Sequence, residues 1–138
     1  MEKTPRKNDM MLLSIRRPFS QLIIRGEKKF ELRKRLPRSQ CKRALIYETH
    51  PTKAIVGCFE IGRILEDCIE NIWETTKGGS FVSREFFNEY FKDKQMGIAI
   101  EIKSSRKLEK PVALSEIGVG RAPQDFMYVD SENVGNLI

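Results

Sequence analysis

Cysteine and histidine are scarce in this 138-residue chain, with three of the first and one of the second. Cys41, Cys58 and Cys68 form no Cys-x-x-Cys pair, and none has a histidine at ligand spacing. That argues against a disulfide framework and a zinc site, and predicts reduced thiols in a cytoplasmic setting. Long apolar runs are missing too. Met10 to Leu13 is too brief for a membrane helix or a signal-peptide core. No basic amphipathic helix accompanies the positive charge, so no membrane partner is expected. Neither a repeat, a linker nor a low-complexity block divides the chain, which reads as one domain able to bury a core.

Negative charge is scarce in one part only. Residues 1–43 carry 14 Lys and Arg against 4 Asp and Glu, a balance of +10, while the remainder carries 11 against 15. The net +6 therefore conceals one cationic third. Such polarity suits a polyanion, either RNA or a phosphorylated small molecule, although a solvated basic surface explains it more simply. No helix-turn-helix with basic recognition residues points to duplex DNA.

Residues 1–9 are polar and basic and read as a disordered tail, residues 10–130 as the domain, and residues 131–138 as a weakly patterned C-terminal tail. Met11 to Ile15 predicts a first strand. Pro18 then opens a helix with Phe19, Leu22 and Ile23 on one face, which Gly26 closes with a left-handed cap. Phe30 to Arg33, Ala44 to Tyr47, Ala54 to Ile64, Ile98 to Lys103 and Phe126 to Val129 alternate as strands, and Pro111 ends the fourth region of that series. Gly57 and Gly62 predict bulges or tight bends. Cys68, Ile69, Ile72 and Trp73 form a helical stripe. A further helix is capped by Ser83 and carries Phe86, Phe87, Tyr90 and Phe91. Periodicity gives an α+β domain with a bent mixed sheet.

The segment from Gly26 to Arg33 carries the most chemistry. Strand parity puts Lys29, Glu31 and Arg33 on one side and Phe30 and Leu32 on the other, with Lys28 at the turn. A glutamate between cations can hold an arginine fork, whose spare donors then meet a phosphate or a base edge. An exposed strand face with ordinary ion pairs fits the spacing as well.

Gly26, Lys28, Glu31 and Arg33 match the G-x-K-x-x-E-x-R signature of the ASCH family, a relative of PUA domains. Ser14-Ile15-Arg16-Arg17-Pro18, Ile46-Tyr47-Glu48-Thr49, Lys53-Ala54-Ile55-Val56-Gly57, Trp73, the Phe86 helix and Ala122-Pro123-Gln124 continue the match, so the chain resembles that family over residues 10–130. The resemblance implies an α+β, PUA-like mixed β-barrel with peripheral helices and a cleft beside the helix before the signature. It implies binding of RNA or a modified nucleotide, in a regulatory, transcription- or translation-linked role. Lys28, Glu31 and Arg33 would line the cleft, with Tyr47, Thr49, Lys53 and Gln124 around it. Arg17, Lys29, Lys34 and Arg35 supply further cations to the same interface.

Two enzymatic alternatives follow from the resemblance, with Lys28, Tyr47 and Lys53 as catalytic candidates. One ASCH subgroup resembles amidohydrolases of acetylated cytidine. Lys28 matches its lysine, but Glu31 stands where that subgroup has a threonine nucleophile, and a carboxylate does not replace that hydroxyl. The other alternative is a ribonuclease using a tyrosine, a lysine and a serine. Tyr47 and Lys53 are counterparts of the first two, whereas Asp125 occupies the serine position. Tyr47 serves equally well as a core aromatic, and Lys53 as a solvated loop lysine.

No cofactor or metal is expected. The lone His50 has no ligand partner nearby and reads as a surface residue. Glu66, Asp67 and Glu70 suit a helix N-terminus through its dipole alone. Phe86, Phe87, Tyr90 and Phe91 read as core rather than as a base-stacking platform. Oligomeric state is not encoded legibly.

Overall fold

Six stretches in which apolar side chains alternate or run together give six strands, because one or both faces of each can be buried. They are β1 (Met10–Ile15), β2 (Phe30–Arg33), β3 (Arg43–Glu48), β4 (Ala54–Cys68), β5 (Met96–Val112) and β6 (Phe126–Val129). They form one sheet in the order β2-β5-β4-β3-β1-β6, with β1 parallel to β3 and every other neighbouring pair antiparallel. The coordinates are a computed structural model, and it describes residues 8–38 and 41–137.

β1 shows why the core has two sides. Met11, Leu13 and Ile15 enter one apolar cluster with Ala44, Ile46 and Phe59; Met10 and Leu12 enter a second with Leu45, Tyr47 and Val112. A strand buried on both faces reads as an unbroken apolar run, as MMLL does. A third cluster, built on Leu32, Ile72, Phe87, Phe91 and Ala99, lies beneath two of the helices.

The helices are α1 (Phe19–Ile24), α2 (Ile69–Thr76), α3 (Arg84–Tyr90) and α4 (Ser131–Val134). α1 follows Pro18 and is ended by Gly26, whose φ of +79° is a left-handed conformation that costs glycine little. Ser83 Oγ caps α3 by accepting from the Phe86 amide at 3.0 Å. Among the described residues no helix is long and apolar enough to cross a membrane.

Three expectations need correction. β4 and β5 run for 15 and 17 residues, and β5 continues past Pro111 to Val112. Their mutual register shifts between Ile55 and Gly57, between Glu60 and Ile61 and between Ile61 and Ile64, and each shift breaks the alternation that marks a strand in sequence. At Gly57 a Cβ would lie 2.9 Å from the Arg106 carbonyl, so the close approach of strands there needs glycine. The C-terminal segment is helical rather than unpatterned. Val134 is buried, and the Ser131 amide and hydroxyl donate to Asp9 at 2.8 and 2.6 Å. Residues 1–7 of the expected disordered tail lie outside the described residues, whereas Asn8 donates its amide to Asp130.

The third correction concerns closure. The backbone ladder leaves β2 and β6 as free edges, so the sheet is not closed as a barrel ladder would be. Arginine side chains span the gap. Arg33 reaches the Asp125 carbonyl at 3.2 Å and Arg35 reaches that of Phe126 at 3.1 Å.

Candidate functional site

The turn after α1 delivers Lys28 into the protein. The Glu27 and Lys28 amides both bond to the Leu22 carbonyl, and the Lys29 amide bonds to Gly79, which fixes where Lys28 points. Its side chain is only 2% exposed. Nζ donates to the Ser80 carbonyl, lies 3.6 Å from Glu31 Oε1 and sits 5.0 Å from the centre of the Phe19 ring. Burial pulls the Lys28 pKa below its ordinary value, while the Glu31 charge opposes that shift. Ser80 Oγ is buried and, among the described residues, has no hydrogen-bond partner.

Glu31 joins two cations. Its second oxygen accepts from Arg33 Nε at 3.2 Å and from Nη2. Arg33 Nη2 also reaches the Ser14 carbonyl at 3.1 Å, and Nη1 reaches Asp125 through both its carboxylate and its carbonyl. All five guanidinium N–H groups are therefore spent on the chain itself. Burial alone would lower the Arg33 pKa, but Glu31 and Asp125 outweigh it and hold the charge more firmly than usual. The expectation that Arg33 keeps spare donors for a ligand is corrected here: it ties β2 to β1 and to the residue before β6. Asp125, at the position where relatives carry serine, is its partner.

A cavity of about 150 Å³ opens beside this cluster. Lys28, Glu31 and Arg33 line it together with the aromatic rings of Phe19, Phe86 and Tyr90. Phe86 and Tyr90 stack at 6.4 Å with an interplanar angle of 11°, and Phe19 meets Phe86 edge-on at 5.9 Å. Arg16 lies 5.4 Å from the centres of both the Phe19 and Phe86 rings. Tyr90 donates to the Leu32 carbonyl at 3.2 Å, and burial pushes its hydroxyl pKa up to about 12, so it stays a neutral donor. A cavity of this size takes one six-membered ring in other proteins. Its walls offer flat faces, one ammonium donor and one carboxylate acceptor.

Sequence reasoning placed Phe86 and Tyr90 in the core with Phe87 and Phe91, yet α3 divides them. Phe87 and Phe91 are buried in the third cluster; Phe86 is 37% exposed and faces the cavity. The available signal was two separate i, i+4 stripes one residue apart. Arg16, Phe19 and Val82 were likewise not singled out as lining residues.

Other candidates stand elsewhere. Tyr47 is 7% exposed within the second core cluster and does not line the cavity. Lys53 is an exposed residue at φ +52°, and Thr49 lies in the turn after β3, its amide on the Ile15 carbonyl. Gln124 and Lys29 are exposed; Lys29 precedes β2 and does not share the Glu31 face as parity suggested. Lys34 lies 4.6 Å from the Tyr90 ring and Arg35 4.0 Å from that of Phe126, both exposed. Arg17 pairs at 3.5 Å with Glu48, a carboxylate 2% exposed that also accepts from Ser20, Gln21 and Thr52. Burial raises the Glu48 pKa, but those hydrogen bonds prevail and leave it below the ordinary value. That cluster anchors α1. Among the described residues no group of three or more His, Cys, Asp or Glu could hold a metal.

Comparison with known proteins bears on this arrangement. An ASCH domain-containing ribonuclease from Zymomonas mobilis is 24% identical over 132 residues, covering 92% of this chain and 88% of the relative. Large ribosomal subunit protein uL22 of Ureaplasma parvum is 30% identical over 103 residues, 75% of this chain, but the chain spans only 33% of that relative's length. In structure, ASCH from Zymomonas mobilis superposes with a TM-score of 0.84 at 21% identity, covering 92% of each chain. The N-terminal domain of Staphylothermus marinus McrB gives 0.56 at 10% identity, covering 99% of this chain and 97% of the other. Both structural likenesses concern the fold. Residues 13–111 match the ASCH domain, so the chain belongs to the ASCH domain family.

Proposed function

We propose that this chain binds RNA and takes one base of a single-stranded segment into the Lys28 cavity. The observation that carries the reading is the buried Lys28 ammonium between Glu31 and a wall of three aromatic rings. Stacking favours any base and is worth about 1–3 kcal/mol per base, while a fixed donor–acceptor pair reads its edge. A free or modified nucleotide would use the same contacts. The role is regulatory and cytoplasmic in this reading, and the sheet acts as a barrel whose last seam is closed by arginine side chains instead of a ladder. The test is fluorescence anisotropy with a labelled single-stranded RNA. Lys28→Met is expected to weaken binding at least tenfold (about 1.4 kcal/mol) with the fold retained. Unchanged affinity would sink the proposal.

A second reading, ribonuclease action at the same site, draws on the relative called an ASCH domain-containing ribonuclease, of which this chain covers 88%. Lys28 would then steady a developing phosphorane charge, with Lys53 as a second candidate. The burial of Tyr47 and the engagement of Asp125 by Arg33 weigh against a tyrosine–lysine–serine set here. The amidohydrolase alternative has less support, because Glu31 is already held by both Lys28 and Arg33. RNA left intact by the wild type, with and without divalent metal, would dispose of the ribonuclease reading.

A further inference from the structure

The cavity's own charges cancel. Lys28 and Arg33 face Glu31 and Asp125, and Arg16 is the remaining cation on its lining. A balanced site can select a base but attracts a polyanion weakly, since affinity for RNA comes chiefly from phosphate contacts. The excess positive charge must act elsewhere.

It gathers on a groove across β3, β4 and β5. Two adjoining depressions of about 230 and 430 Å³ share Arg43 and Glu60, and neither shares a lining residue with the Lys28 cavity. Lys42, Arg43, Lys103 and Arg106 line them, with Glu60 as the one carboxylate on either lining. All four cations are exposed, and among the described residues none stands within ion-pair distance of a carboxylate. This contrasts with Arg25, Arg63, Lys77 and Arg84, each of which is neutralised by a neighbour. The register explains the row: Arg43 pairs with Glu60, and Glu60 with Ser104. Arg106 follows Ser104 by two residues, about 7 Å along the strand on the same face. The shift between Glu60 and Ile61 bends the surface there into a trough.

We propose that this groove is a second nucleic-acid site, a track for the phosphate backbone of the RNA whose base enters the Lys28 cavity. It rests on the RNA-binding reading above and divides the labour, with the cavity selecting and the groove supplying affinity without regard to sequence.

The experiment compares a mononucleotide with a single-stranded RNA of about ten nucleotides, within the span one small domain covers, on wild type, Arg43→Gln/Arg106→Gln and Arg43→Lys/Arg106→Lys. In the glutamine pair the longer RNA is expected to bind at least tenfold more weakly. Its log–log salt slope should shrink by about 1.4, at about 0.7 per lost phosphate contact. Mononucleotide affinity and the thermal midpoint should stay put, and the lysine pair should recover most of the loss. Undiminished binding of the longer RNA by the glutamine pair overturns the groove and leaves the cavity reading standing. No rescue by lysine, or displacement of RNA by polyglutamate at equal charge, also overturns it. A wild type that binds neither ligand overturns the cavity reading and the groove together.

Discussion

A guanidinium carries five donors in a fixed fork, and at Arg33 each finds an oxygen of Glu31, Asp125 or Ser14. Removing it would strand two carboxylates beside the core. Arg33→Ala is expected to destabilise the fold by about 3–5 kcal/mol in urea unfolding, and Arg33→Lys to recover only part, because an ammonium cannot span that fork. A loss below about 1 kcal/mol would show the network to be dispensable. Lys28 differs, because its burial disfavours the charge it holds. Its folded pKa lies below the ordinary 10.5, so between the two values the unfolded chain binds more protons and stability rises with pH. Lys28→Met should abolish that alkaline rise, which unfolding at about pH 8 and about pH 10 would reveal. Tyr90 acts in the opposite sense. With its folded pKa pushed up to about 12, stability is lost as pH climbs above the ordinary 10.0.

Among the elements, α3 presents two faces with different duties. Phe87→Ala should cost about 3–5 kcal/mol by leaving a hole in the third cluster. Phe86→Ala, at a residue 37% exposed, should cost under about 1 kcal/mol yet weaken RNA binding by about 1–3 kcal/mol. Equal effects on both properties would contradict this division. α1 depends on Glu48, whose folded pKa is depressed. Its contribution is present above the ordinary 4.5 and is lost as pH falls through the folded value. Amide exchange in α1 should therefore accelerate in acid, and less so in Glu48→Gln. Much of this level was legible in sequence. Gly26 closed α1 and Ser83 capped α3 because both signals are local. The lengths of β4 and β5 were not, since bulges shift their parity midway. Lys28 was legible only as a turn residue, because its burial depends on Gly79 and Ser80, some fifty residues on.

Over the whole molecule, the charge bias of the first third separates into two parts that sequence order hides. Lys28 and Arg33 are consumed inside, while Lys42 and Arg43 reach a groove completed by Lys103 and Arg106 from the acidic remainder. The two sheet edges are likewise joined by side chains that lie far apart in sequence, with Arg33 and Arg35 on the carbonyls of Asp125 and Phe126. Neither pairing could be read from spacing, because both depend on which strands become neighbours. The central claim is that a base occupies the Lys28 cavity. Nuclear magnetic resonance of the protein with a short single-stranded RNA tests it most directly, through contacts between base protons and side chains. The expected result is a set of contacts from one base to the Phe19, Phe86 and Tyr90 rings, lost in Lys28→Met. Bound RNA whose bases touch none of these rings, with affinity untouched by Lys28→Met, would contradict it.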